Sequence, residues 1–137
     1  MKKLFVAMMA VLVMVSCGNS NDGGGNGNAV EGIDKIISVS ETLLEKAEQA
    51  TRYNDPEILV SAFEVFVDDA ISIKNKYGDA LSGMSREEQQ KHADKIQKMK
   101  QLQLKANNMD KKLKQLQPSA SQMQRLQNAV RKLQNAN

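Results

Sequence analysis

The chain has 137 residues, a formal net charge of +3, 41% hydrophobic residues, a single cysteine and no tryptophan. A chain of this length forms one small domain and not two, and one cysteine excludes an intrachain disulfide. Lys2 and Lys3 account for two of the positive charges, so the rest of the chain is close to neutral.

An uncharged apolar run from Leu4 to Val15 follows the basic pair. As a helix this run would span about 18 Å, less than the ~30 Å hydrocarbon core of a membrane. The run is therefore interpreted as part of a secretory signal peptide, residues 1–16, rather than as a permanent membrane span. Ser16, a small residue, and then Cys17 close this segment.

The segment Met14–Cys17 resembles the lipobox of bacterial lipoproteins. The resemblance implies that the preceding peptide is removed and that Cys17, the new N-terminus, carries diacylglycerol and palmitate as a membrane anchor. In enterobacterial lipoproteins, an aspartate directly after the cysteine retains the protein at the inner membrane. Gly18 occupies that position here, which implies the outer membrane, facing the periplasm. The alternative is an ordinary signal peptide with an incidental cysteine.

Residues 17–29 are predicted to form a flexible tether. Gly18–Asn28 contains five glycines and four asparagines and has nothing to bury. A flexible chain of this length reaches roughly 18 Å. A phosphate-binding loop is the alternative, but no strand precedes the segment and no Gly-Lys-Ser/Thr follows it. The folded domain is predicted to span residues 30–137.

Apolar residues at helical spacing predict a first helix over about 30–53 and a second over about 56–77. Asp55 is expected to cap the second helix, with Pro56 at its first position, and Gly78 to end it in a left-handed conformation. Similar lengths and a tight turn predict an antiparallel hairpin. The residues predicted to be buried in it are Ile33, Ile36, Ile37, Leu43, Leu44, Ala47, Ala50, Leu59, Ala62, Phe63, Phe66, Ala70, Ile73 and Tyr77.

The second half of the chain predicts a long third helix. Ser85 and Glu88 form a predicted capping box, and the helix runs to about Gln117 unless Asn107-Asn108 interrupts it. Its apolar residues alternate three and four apart, as in a coiled coil. They are Met99, Leu102, Ala106, Met109, Leu113 and Leu116.

Pro118 ends the third helix, because the residue before a proline disfavours helix. Ser119 and Gln122 predict a second capping box, which begins a fourth helix that ends at about Ala136. No strand is predicted. The expected fold class is all-α: an antiparallel hairpin plus a long coiled-coil-like third helix and a short fourth helix, in a three- or four-helix bundle.

Charge is unevenly divided along the chain. Residues 31–69 carry three basic and ten acidic residues, a net −7, whereas residues 85–137 carry twelve basic and four acidic residues, a net +8. The halves can pair with each other, or the basic half can bind an anionic partner. Two rows recur every seven residues and would face each other if the first and third helices run parallel. The rows are Asp34, Glu41 and Glu48, and Lys91, Lys98, Lys105 and Lys112.

Candidate chemical sites are sparse. His92 and Glu88 share a helix face, but a zinc site needs three or four protein ligands. Glu64 and Asp68-Asp69 lack the calcium-binding loop pattern, and no serine lies in a nucleophile motif. No catalytic, metal or cofactor site, no enzyme activity, no nucleic acid and no small-molecule substrate is therefore predicted.

The overall layout resembles the small helical lipoproteins of unknown function common in Bacteroidota. The prediction is a lipid-anchored, non-catalytic α-helical binding or scaffold module of the cell envelope, in contact with the membrane through Cys17. A protein partner is expected on the C-terminal helices, at Met109, Leu113, Leu116, Met123, Leu126, Val130 and Leu133. The alternative is docking on anionic envelope polymers or a membrane surface through Lys91, Lys98, Lys105 and Lys112.

Overall fold

The computed structural model describes residues 27–106 and 108–136, apart from the side chains of residues 27, 28, 103, 106 and 110. The lipobox, Cys17 and most of the predicted tether lie outside these residues. The described chain forms six helices and no strand, which confirms the all-α prediction. The helices are α1 (Gly27–Tyr53), α2 (Pro56–Ser82), α3 (Arg86–Lys91), α4 (Ala93–Ala106), α5 (Met109–Leu116) and α6 (Ala120–Asn135).

The predicted hairpin is formed by α1 and α2. Asn54 adopts a left-handed conformation with φ 51° and reverses the chain between the two helices. The Asp55 side chain accepts a hydrogen bond from the backbone N–H of Glu57 at 3.0 Å, as predicted for an N-cap, with Pro56 at the start of the helix. Both helices are 27 residues long, about 40 Å, so they pack along their whole length.

The prediction that Gly78 ends the second helix is wrong. Helix α2 continues to Ser82, and Gly83 caps it with φ −90°, which is not left-handed. Leu81 and Met84 beyond the glycine are fully buried. Burying a side chain of this size stabilises by about 1.5–3 kcal/mol, more than the ~1 kcal/mol that a glycine costs inside a helix.

The predicted long third helix is divided into three segments. Helix α3 ends at Lys91, and His92 breaks the helical path with φ −113° and ψ 26°. A second interruption separates α4, which ends at Ala106, from α5, which begins at Met109. The sequence left open whether the helix continues through the Asn107-Asn108 pair, because asparagine has a low helix propensity. Only Asn108 of that pair is described. The coiled-coil-like spacing is retained across the interruption between α4 and α5. The apolar residues on its two sides are all buried: Met99, Leu102, Met109, Leu113 and Leu116.

Ion pairs between helices define the direction of each segment. Lys95 lies 2.8 Å from Asp34 and Lys98 lies 3.3 Å from Glu41, so α4 runs parallel to α1 as predicted. Helix α6 runs parallel to α2, and the third and fourth chain segments therefore complete an up-down-up-down bundle. Helices α4 and α5 pack on α1, and α6 packs on α2, whereas α4 and α6 do not pack on each other within the described chain.

The core follows the predicted apolar rows closely. Every predicted core residue of the hairpin is buried except Leu44 and Ala62, which are half-buried. One polar side chain, Ser40, lies in this core with no exposed surface, and its hydroxyl has no hydrogen-bond partner. The hairpin also holds the aromatic pair Phe63 and Phe66, whose ring centroids lie 6.2 Å apart.

Candidate functional site

The residues predicted to bind a partner lie inside the bundle. Six of the seven are buried: Met109, Leu113, Leu116, Leu126, Val130 and Leu133. Met123 is half-buried against the same core. They contact the hairpin, so a partner can use these side chains only after α5 or α6 moves off it. Cys17, the predicted lipid attachment site, lies outside the described residues.

The four lysines of the predicted row differ in their contacts and exposure. Lys98 pairs with Glu41, while Lys91 and Lys105 are exposed and Lys112 is half-buried. Within the described chain no ion pair joins Lys105 to Glu48, although the seven-residue spacing aligned them.

A cluster that the sequence analysis missed holds α6 on α2. Arg125 lies between two carboxylates of α2: its Nη1 is 2.7 Å from Glu57 Oε1, and its Nη2 is 2.6 Å from Glu64 Oε1. The Ser61 hydroxyl donates to Glu57 Oε2 at 2.6 Å, and the Gln122 amide donates to Glu57 Oε1 at 3.2 Å. We call these five residues the Arg125 cluster.

The Arg125 cluster lowers the pKa of Glu57 from its usual 4.5 to about 2. The hydrogen bond from Arg125 contributes most, followed by those from Ser61 and Gln122, because each donor favours the charged carboxylate. The hydrogen bonds that Arg125 donates to Glu64 and, second, to Glu57 raise the pKa of Arg125 above its usual value. Both carboxylates are about two-fifths exposed, so solvent screens these pairs and their main effect is to fix orientation.

A signal for this cluster was present in the sequence. Glu57, Glu64 and Asp68 lie on one face of α2, and Arg125 and Lys132 are seven residues apart on α6. The Lys132 ammonium lies 2.5 Å from Asp68, so this row pairs in register. Charged rows were aligned for the first and third helices only, so the matching rows of the second and fourth helices were not recognised.

Ion pairing connects the two oppositely charged halves of the chain. Each of the five ion pairs of the described residues joins an acidic side chain of residues 31–69 to a basic one of residues 95–132. Of the two interpretations of the charge division, pairing between the halves is the one that these contacts display. Charged side chains on both flanks of the hairpin thus select the order in which the helices pack.

The residues weighed as metal ligands do not converge. His92 is half-buried at the α3–α4 break, where its backbone N–H bonds the Glu88 carbonyl at 3.1 Å. Residues 27–106 and 108–136 contain no group of three or more His, Cys, Asp or Glu side chains that could hold a metal ion. Glu64 and Asp68, weighed for calcium, instead pair with Arg125 and Lys132.

A groove of about 330 Å³ runs between α1 and α2 and is lined by these two helices alone. We call it the hairpin groove. Its lining residues are Lys35, Ser38, Val39, Asp69, Ser72, Ile73, Lys76 and Tyr77.

The hairpin groove has an apolar floor and a polar rim. Ile73 and Tyr77 are buried and Val39 is half-buried, whereas the two lysines, the two serines and the aspartate are exposed. The Lys76 ammonium lies 5.3 Å from the centroid of the Tyr77 ring. The Tyr77 hydroxyl is buried and has no hydrogen-bond partner.

These features define a class: a small up-down-up-down helical bundle with one apolar core, ion pairs on both flanks of its hairpin, and an open groove between the two hairpin helices. None of the described helices has both the length and the apolar character needed to cross a membrane. No protein-family model matches the chain, and no curated protein or solved structure shows significant similarity to it.

Proposed function

We propose that the protein is a lipid-anchored, non-catalytic helical binding module of the bacterial cell envelope. The acyl chains on Cys17 hold it at the outer membrane, facing the periplasm, and the Gly/Asn-rich tether separates the anchor from the bundle. Several buried acyl chains, at about 0.8 kcal/mol per CH₂, anchor a protein stably.

The observation that carries the anchor is the lipobox-like segment Met14–Cys17, whereas the ion pairs of the bundle bear on how its helices pack. Basic side chains of the second half pair with acidic side chains of the hairpin across both flanks, at distances of 2.5–3.3 Å. These pairs favour one arrangement of helices around a central hairpin. Within this arrangement the hairpin groove is open to the surroundings.

The anchor is tested by replacing Cys17 with serine in the full chain and labelling cells with radioactive palmitate. The wild type is expected to carry label, to lose residues 1–16 and to fractionate with membranes. The Cys17→Ser variant is expected to be unlabelled and to remain an uncleaved or soluble precursor. A variant that matures and fractionates like the wild type would disprove the lipid anchor.

A second candidate function is docking on an anionic envelope polymer or membrane surface. It is favoured by five lysines of α3–α5 that are exposed and take part in none of the ion pairs between described residues. They are Lys91, Lys100, Lys105, Lys111 and Lys114. Binding through such a surface weakens steeply with ionic strength.

Vesicles that contain phosphatidylglycerol test this second function. Sedimentation of residues 18–137, which lack the apolar run and Cys17, with these vesicles should fall as salt is raised, and should be weaker for a Lys91→Gln, Lys105→Gln variant of the same chain. A Lys95→Gln, Lys98→Gln variant is the matched control, because it removes the same charge from lysines already paired with Asp34 and Glu41. Equal losses in both variants, or binding that ignores salt, would exclude this use of the lysine surface.

A further inference from the structure

We propose that the hairpin groove is a binding site for a small amphiphilic monoanion, a molecule with one carboxylate on an apolar body. This inference deepens the proposed binding function by naming a site and a ligand class. It refines the expectation that no small-molecule substrate is used, because the molecule is bound and is not converted.

The dimensions of the groove favour a small molecule. A volume of about 330 Å³ lies at the lower end of the range of small-molecule pockets, which is roughly 300–1,000 Å³. Such pockets combine an apolar lining with a few polar groups, and this groove is more polar, with five polar or charged residues among its eight lining residues. Val39, Ile73 and the Tyr77 ring provide the apolar floor, and Ser38 and Ser72 provide hydroxyl donors at the rim.

The charges at the rim favour an anion. Lys35 belongs to α1 and Lys76 to α2, so each of the two helices contributes one lysine to the lining of the groove. The contact between Lys76 and the Tyr77 ring holds one ammonium beside the apolar floor, because a cation is attracted to the face of an aromatic ring. Neither lysine belongs to an ion pair of the described chain. Both therefore remain available to a carboxylate.

Asp69 limits the charge of the ligand. Its carboxylate lies on the same rim, so the ionisable groups of the groove sum to a single positive charge. A ligand with several negative charges would meet repulsion from Asp69. A ligand with one carboxylate matches the single net positive charge of the groove. The apolar part of such a ligand would cover Val39 and Ile73.

The Tyr77 hydroxyl is a buried polar group on a residue that lines the groove. The side chain is 2% exposed, and its hydroxyl has no hydrogen-bond partner. Buried hydroxyl groups are paired in most native structures. Because this oxygen has almost no accessible surface, a molecule in the groove can reach it only after the Tyr77 side chain moves, so recognition of an anion rests on the lysines of the groove.

Hexanoate, an anion, is the probe for this site. Hexylamine, a cation, and hexanol, which is neutral, have a six-carbon chain as well and serve as comparison ligands. The wild-type chain is purified from bacterial membranes into phosphatidylcholine nanodiscs, and binding is measured by saturation-transfer NMR against empty nanodiscs. We expect saturable binding of hexanoate, and weaker binding of hexanol and hexylamine.

Two sets of variants locate the binding. Replacing Lys35 and Lys76 by glutamine is expected to weaken hexanoate binding about tenfold, since two partly exposed charge pairs are lost. Replacing Lys100 and Lys114 by glutamine removes the same charge elsewhere and should leave binding unchanged. Ser72→Phe fills the groove from its exposed rim and should abolish binding while the helical circular dichroism spectrum is retained.

Three results would overturn the inference: no saturable hexanoate binding by the wild type, equal weakening in both lysine pairs, or hexylamine binding as tight as hexanoate. Mass spectrometry of the same samples reports acylation of Cys17. Loss of acylation with retained hexanoate binding would refute the anchor alone. Acylation without hexanoate binding would refute the groove alone.

Discussion

Replacing Gly32 by alanine tests how closely the two helices of the hairpin approach. Gly32 is buried in α1 and faces Tyr77 of α2. A Cβ atom at position 32 would lie 2.9 Å from Tyr77 Cβ, 3.1 Å from Tyr77 Cγ and 3.4 Å from a methyl group of Leu81. Tyr77 Cβ is bonded directly to the backbone of α2, so relief requires the helices themselves to separate.

Gly78 provides a matched control on the partner helix. It also lies within a helix with negative φ, but a Cβ atom there would meet only Lys74 Cγ, at 3.7 Å. Alanine is favoured over glycine in a helix by about 0.8–1 kcal/mol at both positions. Gly78→Ala is therefore expected to stabilise the protein by about 1 kcal/mol.

The packing penalty at Gly32 is obtained by difference. Overpacking of this kind costs about 1–3 kcal/mol, so Gly32→Ala should range from neutral to about 2 kcal/mol destabilising after the helix-propensity gain. Because that gain is common to both variants, it cancels when they are compared. Their melting temperatures should then differ by roughly 4–20 °C for a domain of this size.

Urea unfolding monitored by far-ultraviolet circular dichroism measures both free energies of unfolding, and the slope with urea checks that the unfolded states are alike. Equal stability of the two alanine variants would refute the close approach of α1 and α2 at Tyr77. A Gly78→Ala variant less stable than the wild type would refute the continuation of α2 through this position.

Three further predictions concern the flanks of the hairpin. The charged Glu57 contributes stability above about pH 4.5 that is lost as pH falls through 2, because its folded pKa is lowered to about 2. Glu57→Gln should therefore lower the melting temperature at pH 7, and the difference from the wild type should narrow below about pH 4.5 and close only as pH falls through about 2. Glu41→Lys should lower the melting temperature modestly at low salt by facing Lys98 with a like charge, and adding Lys98→Glu should restore it. Hydrogen exchange should be faster over residues 126–133 than over residues 63–73, because α6 packs on α2 alone while α2 lies between two neighbours.

Each of these has a clear contrary result. A constant gap between wild type and Glu57→Gln across the acidic range would remove the link between this carboxyl group and acid stability. A double reversal no more stable than Glu41→Lys would argue against the α1–α4 pairing. Equal protection of residues 126–133 and 63–73 would mean that α6 opens only when the whole bundle unfolds.

Helical periodicity predicted most of the fold because burial follows a regular spacing. The seven-residue apolar rows identified the core of both hairpin helices and of α4–α6, and the caps at Asp55 and Ser119 were located from local chemistry alone. The Ser119–Gln122 capping box is complete, with hydrogen bonds of 2.9 and 3.1 Å. Such features depend on residues close in sequence, so the sequence is sufficient to predict them.

Features that depend on distant residues were predicted less well. The end of α2 was predicted too early because a glycine such as Gly78 commonly ends a helix. Leu81, beyond that glycine, is buried by the helices around it, and this burial is not visible in the local sequence. The break at His92 has no proline or glycine to mark it. The Arg125 cluster joins residues more than sixty positions apart, and the hairpin groove combines residues of α1 and α2 that lie thirty or more positions apart.

The parallel alignment of α6 with α2 brings the start of α1 and the end of α6 to one end of the bundle. Lys74, near the end of α2, donates a hydrogen bond to the Ala136 carbonyl at 2.7 Å, close to where Gly32 meets Tyr77. The turn at Asn54 stands at the opposite end, about 40 Å away along 27 helical residues. Two fluorophores, one in this turn and one beside Ala136, would therefore report whether a bundle carried by the proposed lipid anchor stands upright or lies flat on the membrane.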